Sequence, residues 1–267
     1  MAPEDVFATP KQVSELDDCY FYHDMDIPGY GHVKGQWDLR KNVCNYLGGV
    51  EFKHKRVLDV GTASGFLCFY MERQGAEVVG YDLSKDQSWD IVPFQRYDFE
   101  RFRQERREII EKINNAFWLA HRAFKSRTRM VYGSVYDIPA DIGTVDISVF
   151  GSVLLHVRDP FLALQSALRL TKETVIVTER SPTLLTHRFP LTLGKPFMRF
   201  LPDFETCEPK ETWWQLTPTI VRNFLAVLGF EKTQVERHSQ ESGNGQRHRF
   251  FTIVGHRTRG FEVVGKT

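Results

Sequence analysis

The sequence predicts an α/β fold with a doubly wound, mostly parallel sheet. Apolar runs of strand length alternate along the 267 residues with segments of helical spacing. The first of these runs, residues 56–60, ends in a glycine turn that opens a helix, and the next run ends on Asp82. The length is sufficient for one large domain with a substantial buried core.

The remaining elements follow in a regular order. Residues 145–151 form a nearly continuous apolar run, which is typical of a parallel strand buried on both faces. Helical spacing follows at residues 161–170, and residues 174–179 are predicted to form another strand. A further helix is expected to end near Gly229. Two strands with a turn at residues 243–245 between them complete the sheet.

Residues 86–129 are predicted to form a helical insert. Apolar residues recur three or four positions apart between Ile109 and Phe124, which indicates an amphipathic helix with a mostly basic polar face. Two interpretations of that face stay open: a solvated helix surface, or a docking surface for an anionic acceptor. Trp89, near the start of the insert, either packs on a bound base or anchors the segment.

The glycine turn predicts a nucleoside-binding corner. Small residues at positions 61, 63 and 65 let the backbone approach a ligand closely, and the helix beyond them offers unpaired N–H groups. Asp82 follows about twenty residues after the turn, where an acid commonly binds a ribose diol. A dinucleotide fingerprint would require a G-x-G-x-x-G pattern, but Ala63 stands where its middle glycine would be. A nicotinamide-dependent oxidoreductase is therefore disfavoured.

The pattern Asp59-x-Gly61-x-x-x-Gly65 resembles the first motif of the class I S-adenosylmethionine-dependent methyltransferases. The segment from Gly151 to Pro160 is similar to the one that follows the fourth strand in that family, and the resemblance spans roughly residues 35–256. It implies a Rossmann-like, seven-stranded methyltransferase sheet with helical insertions, and S-adenosylmethionine as the cofactor. The implied cofactor-binding residues are Asp59, Gly61, Thr62, Ala63, Gly65, Asp82, Leu83, Ser134, Val135 and Gly151.

Within that set, the resemblance implies a role for Asp59 at the ammonium of the cofactor but leaves the adenine contact open. An acid before the glycine turn, here Asp59, would help to hold the ammonium of the cofactor, often through water. Members of the family often carry an acid directly after the glycine of the third motif, where it meets the adenine amino group. Here Ser134 stands at that place and Asp137 follows three residues later, so the adenine contact stays open.

Methyl transfer by in-line displacement requires alignment of the acceptor and exclusion of water, with a general base only where the acceptor loses a proton. His156 follows the fourth strand of the sheet, so it is either that base or a histidine that hydrogen-bonds its own loop. Glu179, at the end of the fifth strand, is a second catalytic candidate. Trp37, Trp213 and Trp214 are expected to shape the acceptor pocket.

A more distant resemblance concerns the acceptor. The segment from Lys34 to Arg40, followed by the glycine corner, is similar to the tRNA wobble-uridine carboxymethyltransferase branch. That branch uses carboxy-S-adenosylmethionine, whose extra carboxylate requires a cation such as Lys34 or Arg40. Three functions are thus kept: methyl transfer to a small molecule, which is favoured; methyl or carboxymethyl transfer to a tRNA base; and non-catalytic binding of S-adenosylmethionine.

Composition bounds these alternatives. The formal net charge is +1, so no overall field favours nucleic acid or a membrane surface. No apolar run approaches 18 residues, and the first residues lack the features of a signal peptide. The four cysteines are scattered without a C-x-x-C pair, as expected for reduced thiols in a cytoplasmic protein without a metal site.

The chain is therefore expected to be one domain in four parts. These are an N-terminal cap segment (1–54), a cofactor-binding core (55–180) that holds the insert, a lid (181–212), and a C-terminal helix with strands (213–259). The lid is predicted because residues 181–211 hold five prolines and are too long for an ordinary connection. The aromatic segment from Tyr20 to Asp26 is expected to wall the acceptor pocket or to pack as a surface arm.

Overall fold

The computed structural model describes residues 6–96, 98–182 and 195–260. The strands are β1 (Met25–Ile27), β2 (Gly31–Val33), β3 (Trp37–Asp38), β4 (Arg56–Val60), β5 (Glu77–Asp82), β6 (Arg129–Tyr132), β7 (Val145–Gly151), β8 (Thr171–Arg180), β9 (Met198–Phe200), β10 (Trp214–Leu216), β11 (Lys232–Ser242) and β12 (Arg247–His256). The helices are α1 (Val43–Tyr46), α2 (Phe66–Arg73), α3 (Phe99–Phe124), α4 (Pro160–Leu168) and α5 (Pro218–Val227).

The central sheet has the strand order β3-β11-β12-β8-β7-β4-β5-β6. Strands β8, β7, β4, β5 and β6 are parallel, and β12 and β11 continue the sheet in antiparallel pairing. The predicted doubly wound sheet is confirmed. It has one strand more than the predicted seven, because Trp37 and Asp38 pair with the end of β11 at the edge.

Both faces of the parallel strands are buried, as their apolar sequences require. On one face, α2 and α3 supply Phe66, Met71 and Phe117 to a core with Val57 of β4. On the other face, α4 and α5 supply Leu164, Val221 and Leu225 to a core with Leu58. Alternate residues of one strand therefore pack in different layers, and the helices lie on both sides of the sheet.

Helix α3 occupies most of the segment predicted as an insert. It connects β5 to its parallel neighbour β6, and parallel neighbours require a crossover of this kind. Asp98 begins the helix by accepting a hydrogen bond from the Arg101 backbone N–H at 3.1 Å. The Arg101–Glu105 pair lies on its exposed side, whereas Ile110, Ile113 and Phe117 are buried.

The N-terminal segment is attached to the glycine turn that follows β4. The backbone N–H of Tyr22 donates to Oγ of Ser64 in the glycine turn, at 3.1 Å. Gly35 packs directly on the backbone of His23, so a side chain there would collide with it. The Gly243 N–H donates to the carbonyl of Gln36 at 2.7 Å, which ties this segment to the β11–β12 turn.

Residues 183–194 of the predicted lid lie outside the described residues. Within its remainder, β9 pairs with β10 in antiparallel register, Phe200 opposite Trp214. Among the described helices, none combines the length and the apolar character needed to cross a membrane.

Candidate active site

A cleft of about 320 Å³ opens where β4, β5, β6 and β7 end. In open α/β sheets, ligands bind in such a crevice at the carboxyl ends of the strands. Eight of the residues predicted from the sequence line this cleft. They are Gly61, Ala63, Asp82, Leu83, Ser134, Val135, Gly151 and His156.

The glycine turn needs glycine for two separate reasons. Gly61 has φ of +75°, and a Cβ there would stand 2.6 Å from Cγ2 of Val153 across the cleft floor. Gly65 begins α2 in the left-handed conformation, and its Cβ would stand 2.6 Å from the Phe69 ring and 2.7 Å from the Phe117 ring. Gly61 therefore keeps the cleft open, whereas Gly65 lets α3 pack on α2.

Asp82 joins the ends of β4 and β5. Its Oδ2 accepts from the backbone N–H of Ala63 at 2.6 Å, and its Oδ1 accepts from that of Leu83 at 2.7 Å. Burial raises the pKa of this carboxyl to about 6, while the two hydrogen bonds act in the opposite direction. The carboxylate thus both shapes the glycine turn and faces the cleft.

Asp59 and Thr62 lie beneath the turn rather than on the cleft surface. The Cys68 thiol donates to Oδ2 of Asp59 at 3.2 Å, and the side chain is buried. Burial raises the pKa of the Asp59 carboxyl to about 6. Within the described part of the chain, Oδ1 of Asp59 is buried without a hydrogen-bond partner. A buried carboxylate oxygen in this condition can accept from a water or an ammonium group, so the residues present fit a ligand with a cationic end.

His156 is held in one tautomer. Its Nδ1 lies 2.6 Å from the backbone carbonyl of Glu211, and since a carbonyl only accepts, Nδ1 carries the proton. Nε2 then bears the lone pair. Burial lowers the pKa of the imidazole below its usual 6.5, so the neutral form predominates at pH 7. His156 is among the residues that line the cleft.

Glu179 lies behind the loop that carries His156 and is not among the residues that line the cleft. Its Oε1 accepts from the backbone N–H of Leu154 at 2.7 Å. Only 1% of the residue is exposed, and burial raises the pKa of the carboxyl to about 8. This geometry gives Glu179 a contact with the loop rather than with a ligand.

Trp37, Trp213 and Trp214, which were expected to shape the acceptor pocket, also lie outside the cleft lining. Trp213 donates from its indole to the carbonyl of Asp90 at 2.7 Å, and Trp214 donates to that of Val157 at 3.1 Å. The backbone N–H of Trp213 donates to the Leu155 carbonyl at 2.8 Å, so this pair brackets the His156 loop. Trp37 packs edge-on against the Phe250 ring.

The two nominated cations are not brought to the cleft. Lys34 is exposed on the turn after β2. The guanidinium of Arg40 lies 2.9 Å from Asp26 and 2.9 Å from Asp38, and a third carboxylate, that of Asp24, is 3.9 Å away. Its charge is therefore matched by carboxylates of the N-terminal segment.

Sequence reasoning missed several residues that line the cleft. Tyr20, Tyr22 and Gln36 come from the N-terminal segment, where the aromatic composition had already indicated a pocket wall. Ile109, Ile110, Ile113 and Asn114 come from α3, and Asp90 precedes that helix. Trp89, which the sequence had nominated as a contact for a bound base, also lines the cleft. Arg106 and Glu211 also line it. Their side chains pair at 2.5 Å between Nε and Oε1, and no local pattern could have joined two positions so far apart in the sequence.

Comparison with known proteins extends these observations. The model of a family described as a methyltransferase domain matches residues 34–206. A methyltransferase from Methanosarcina mazei, described as S-adenosylmethionine-dependent, is 18% identical with a TM-score of 0.50, over 80% of this chain and 96% of that one. Magnesium protoporphyrin IX methyltransferase from Synechocystis PCC 6803, with bound S-adenosylhomocysteine, is 14% identical with a TM-score of 0.48, over 80% of each chain. No curated protein sequence matches the chain.

Proposed function

This chain belongs to the methyltransferase-domain family, as a class I S-adenosylmethionine-dependent enzyme, and we propose that it methylates a small-molecule acceptor. The observation that carries the proposal is the His156 tautomer. Its Nδ1–H is committed to the Glu211 carbonyl, which leaves Nε2 of this cleft-lining residue as the basic nitrogen. A base in that position serves an acceptor that loses an O–H or N–H proton on methylation.

The cofactor seat is proposed at the glycine turn. Asp82 would accept hydrogen bonds from the ribose hydroxyls. The unpartnered Oδ1 of Asp59 would accept a hydrogen bond from a water molecule that in turn accepts one from the ammonium of the cofactor. Ser134 and Val135 line the cleft after β6 and would contact the adenine. When bound, S-adenosylmethionine supplies a methyl group whose bond to sulfur breaks with its electron pair left on sulfur as the acceptor attacks.

The residues of this chain would align the acceptor and manage its proton. His156 takes the acceptor proton on Nε2, and its Nδ1–H bond to Glu211 stabilises the imidazolium that forms. The Trp213 and Trp214 backbone and indole contacts fix the loop that carries His156. Glu179, from below, acts as a positioning residue through Leu154. In this proposal Trp37, Trp213 and Trp214 support the pocket instead of contacting the acceptor.

Two observations support plain methyl transfer to a small molecule over carboxymethyl transfer to tRNA. Arg40 is already paired with carboxylates, and neither Arg40 nor Lys34 lines the cleft. The predicted basic face of α3 is partly neutralised by the Arg101–Glu105 and Arg106–Glu211 pairs.

The test is turnover. The purified protein is incubated with S-adenosylmethionine carrying a labelled methyl group and with a panel of hydroxylated and N–H-bearing small molecules. Labelled acceptor and one equivalent of S-adenosylhomocysteine are expected. Tight S-adenosylmethionine binding without transfer to any acceptor would favour the non-catalytic alternative. Label recovered only in unmodified tRNA added to the same assay would favour the tRNA alternative.

A further inference from the structure

The charged side chains that line the cleft all have partners within the protein. Four residues of the described lining carry a formal charge at pH 7: Asp82, Asp90, Arg106 and Glu211. Asp82 accepts two backbone N–H groups, and Asp90 accepts from the Tyr136 hydroxyl and from the Arg158 N–H. Arg106 and Glu211 pair with one another. Each charged side chain of the described lining therefore has a partner in the protein, and Arg106 and Glu211 are its one ion pair.

The Arg106–Glu211 pair lies at the acceptor end. Asn114 donates to the carbonyl of Leu83, beside the ribose acid, at 3.2 Å. Arg106 precedes Asn114 on the same helix by about 12 Å, at 1.5 Å per residue. The backbone of Glu211 holds His156, so the pair is near the base and far from the ribose seat.

The paired atoms are shielded from water. Nε of Arg106 and Oε1 of Glu211 are both inaccessible to solvent and meet as an ion pair without hydrogen-bond geometry, although 25% and 30% of the two side chains are exposed. The Arg106 guanidinium also lies over the Phe102 ring, 4.3 Å from its centre. In such surroundings a charge left without its partner is costly, and a ligand of opposite sign can relieve that cost. Removing one member of the pair should therefore change which acceptors enter.

Apart from Asp90, whose carboxylate accepts from the Arg158 N–H, the other side chains described at this end of the cleft are uncharged. Tyr20 and Gln36 hydrogen-bond each other through the Tyr20 hydroxyl, and the side chain of Trp37 hydrogen-bonds that of Tyr22. Ile109 and Ile110 of α3 add apolar surface to the lining. Aromatic rings, hydroxyls and apolar surface suit a flat ring with few polar groups.

We propose that Arg106 and Glu211 are a specificity-determining pair that selects an uncharged, hydroxyl- or N–H-bearing ring as the acceptor. This inference rests on the proposed function, because it assigns the end of the cleft beside His156 to the acceptor. Carboxylated and ammonium-bearing analogues of the same ring are disfavoured, since Arg106 and Glu211, the charged side chains beside the base, already hold each other.

The test uses three probes that share a dihydroxylated ring: catechol, 3,4-dihydroxybenzoate and dopamine. Their binding to enzyme saturated with S-adenosylhomocysteine is measured by calorimetry, and their methylation is measured in parallel. The wild-type protein is expected to bind catechol at least tenfold more tightly than either charged analogue. Glu211→Gln should raise the affinity for 3,4-dihydroxybenzoate relative to catechol at least tenfold, because Arg106 loses its partner.

Arg106→Gln should shift the ratio at least tenfold toward dopamine, and the double variant should return it to the wild-type order. Arg101→Gln, on the exposed side of the same helix, is the matched control and should leave all ratios unchanged. The Glu211→Gln backbone still holds His156, so its effect is not a loss of that contact. Unchanged ratios in both single variants, a wild-type preference for a charged probe, or no binding of any probe would overturn the inference. Charge-dependent binding without methylation would uphold the pair and refute only the proposed transfer.

Discussion

Glu179 accepts a hydrogen bond from the backbone N–H of Leu154, 2.7 Å away, and thereby ties the end of β8 to the loop that follows β7. The carboxyl is buried with a pKa raised to about 8, from a usual value of 4.5. Between these two pH values, the Glu179 carboxyl is therefore mostly protonated in the folded protein and mostly ionised in the unfolded chain.

The stability of the protein should fall as pH rises from 5 to 8, and Glu179 should account for part of the fall. A carboxyl whose pKa is raised in the folded state stabilises that state at pH values below its pKa in the unfolded chain. This stabilisation is lost as the pH rises through the pKa of the folded state. From the size of the shift, the contribution is about 2–5 kcal/mol. Urea unfolding of the wild type and of Glu179→Gln at both pH values measures it. Equal pH slopes in the two proteins would contradict the assignment.

Asp82→Ala should weaken S-adenosylhomocysteine binding by more than tenfold, about 1.4 kcal/mol or more. The change removes an acceptor for the ribose and releases the Ala63 N–H. Calorimetry measures the affinity. Asp137→Ala is the matched control, because Asp137 is exposed, pairs with Arg169 and does not line the cleft. Unchanged affinity in Asp82→Ala would refute the ribose assignment, and a loss in Asp137→Ala would move the adenine contact there.

Gly61→Ala should destabilise the fold more than Gly245→Ala and should alone impair cofactor binding. Both glycines have φ near +80°, so both substitutions carry the left-handed cost of about 1 kcal/mol. Only at position 61 does the new Cβ meet a side chain, that of Val153; around Gly245 the space is open. Overpacking there should add about 1–3 kcal/mol. Denaturant unfolding and calorimetry of the two variants, compared side by side, decide the matter.

His156→Asn should reduce kcat by about 100-fold or more while leaving the fold intact. The Asn amide can still donate to the Glu211 carbonyl, but it supplies no basic nitrogen. In the wild type, kcat/KM should rise with pH through a pKa below 6.5 and then level off, because burial lowers the pKa of the imidazole. Retained activity with an unchanged pH profile in His156→Asn would mean that the histidine only orders its loop.

The segment 181–212 is predicted to close over the acceptor, and ligand-dependent proteolysis tests this. Glu211 at its end contacts α3 through Arg106 and the cleft through His156, so a filled cleft should slow cleavage within the segment. Cleavage by a non-specific protease is followed by mass spectrometry with and without S-adenosylhomocysteine and acceptor. Equal rates would argue against a lid.

The cofactor corner could be predicted because its parts are contiguous. Asp59 lies in β4, the glycine turn follows directly, and Asp82 ends the neighbouring strand β5, so strand pattern and glycine spacing were sufficient. The membership of the family followed from the same residues and is confirmed by the match to residues 34–206. The doubly wound sheet followed from the alternation of strands and helices along the chain and is confirmed by the strand order.

The acceptor side depends on residues that meet only in three dimensions. Nothing local joins Glu211, in a proline-rich connection, to Arg106 on α3 or to His156 after β7. Trp213 and Trp214 were expected in the pocket from their residue type, but each indole N–H found a backbone carbonyl in the neighbouring loop. The hydrogen-bond partner of each indole depends on packing between residues far apart in the chain. The spacing of residues in a single sequence does not predict such packing.

The short strand β3 covers only Glu241 and Ser242 of β11, so the greater part of this eleven-residue strand forms an open edge of the described sheet. An open edge invites another chain to add a strand. Lys232, Glu236 and Arg237 place alternating charges along it, all exposed to solvent. Because these charges would have to be desolvated if a second strand paired there, they disfavour edge-to-edge aggregation. Their replacement by threonine or valine would turn the same edge into a template for self-association.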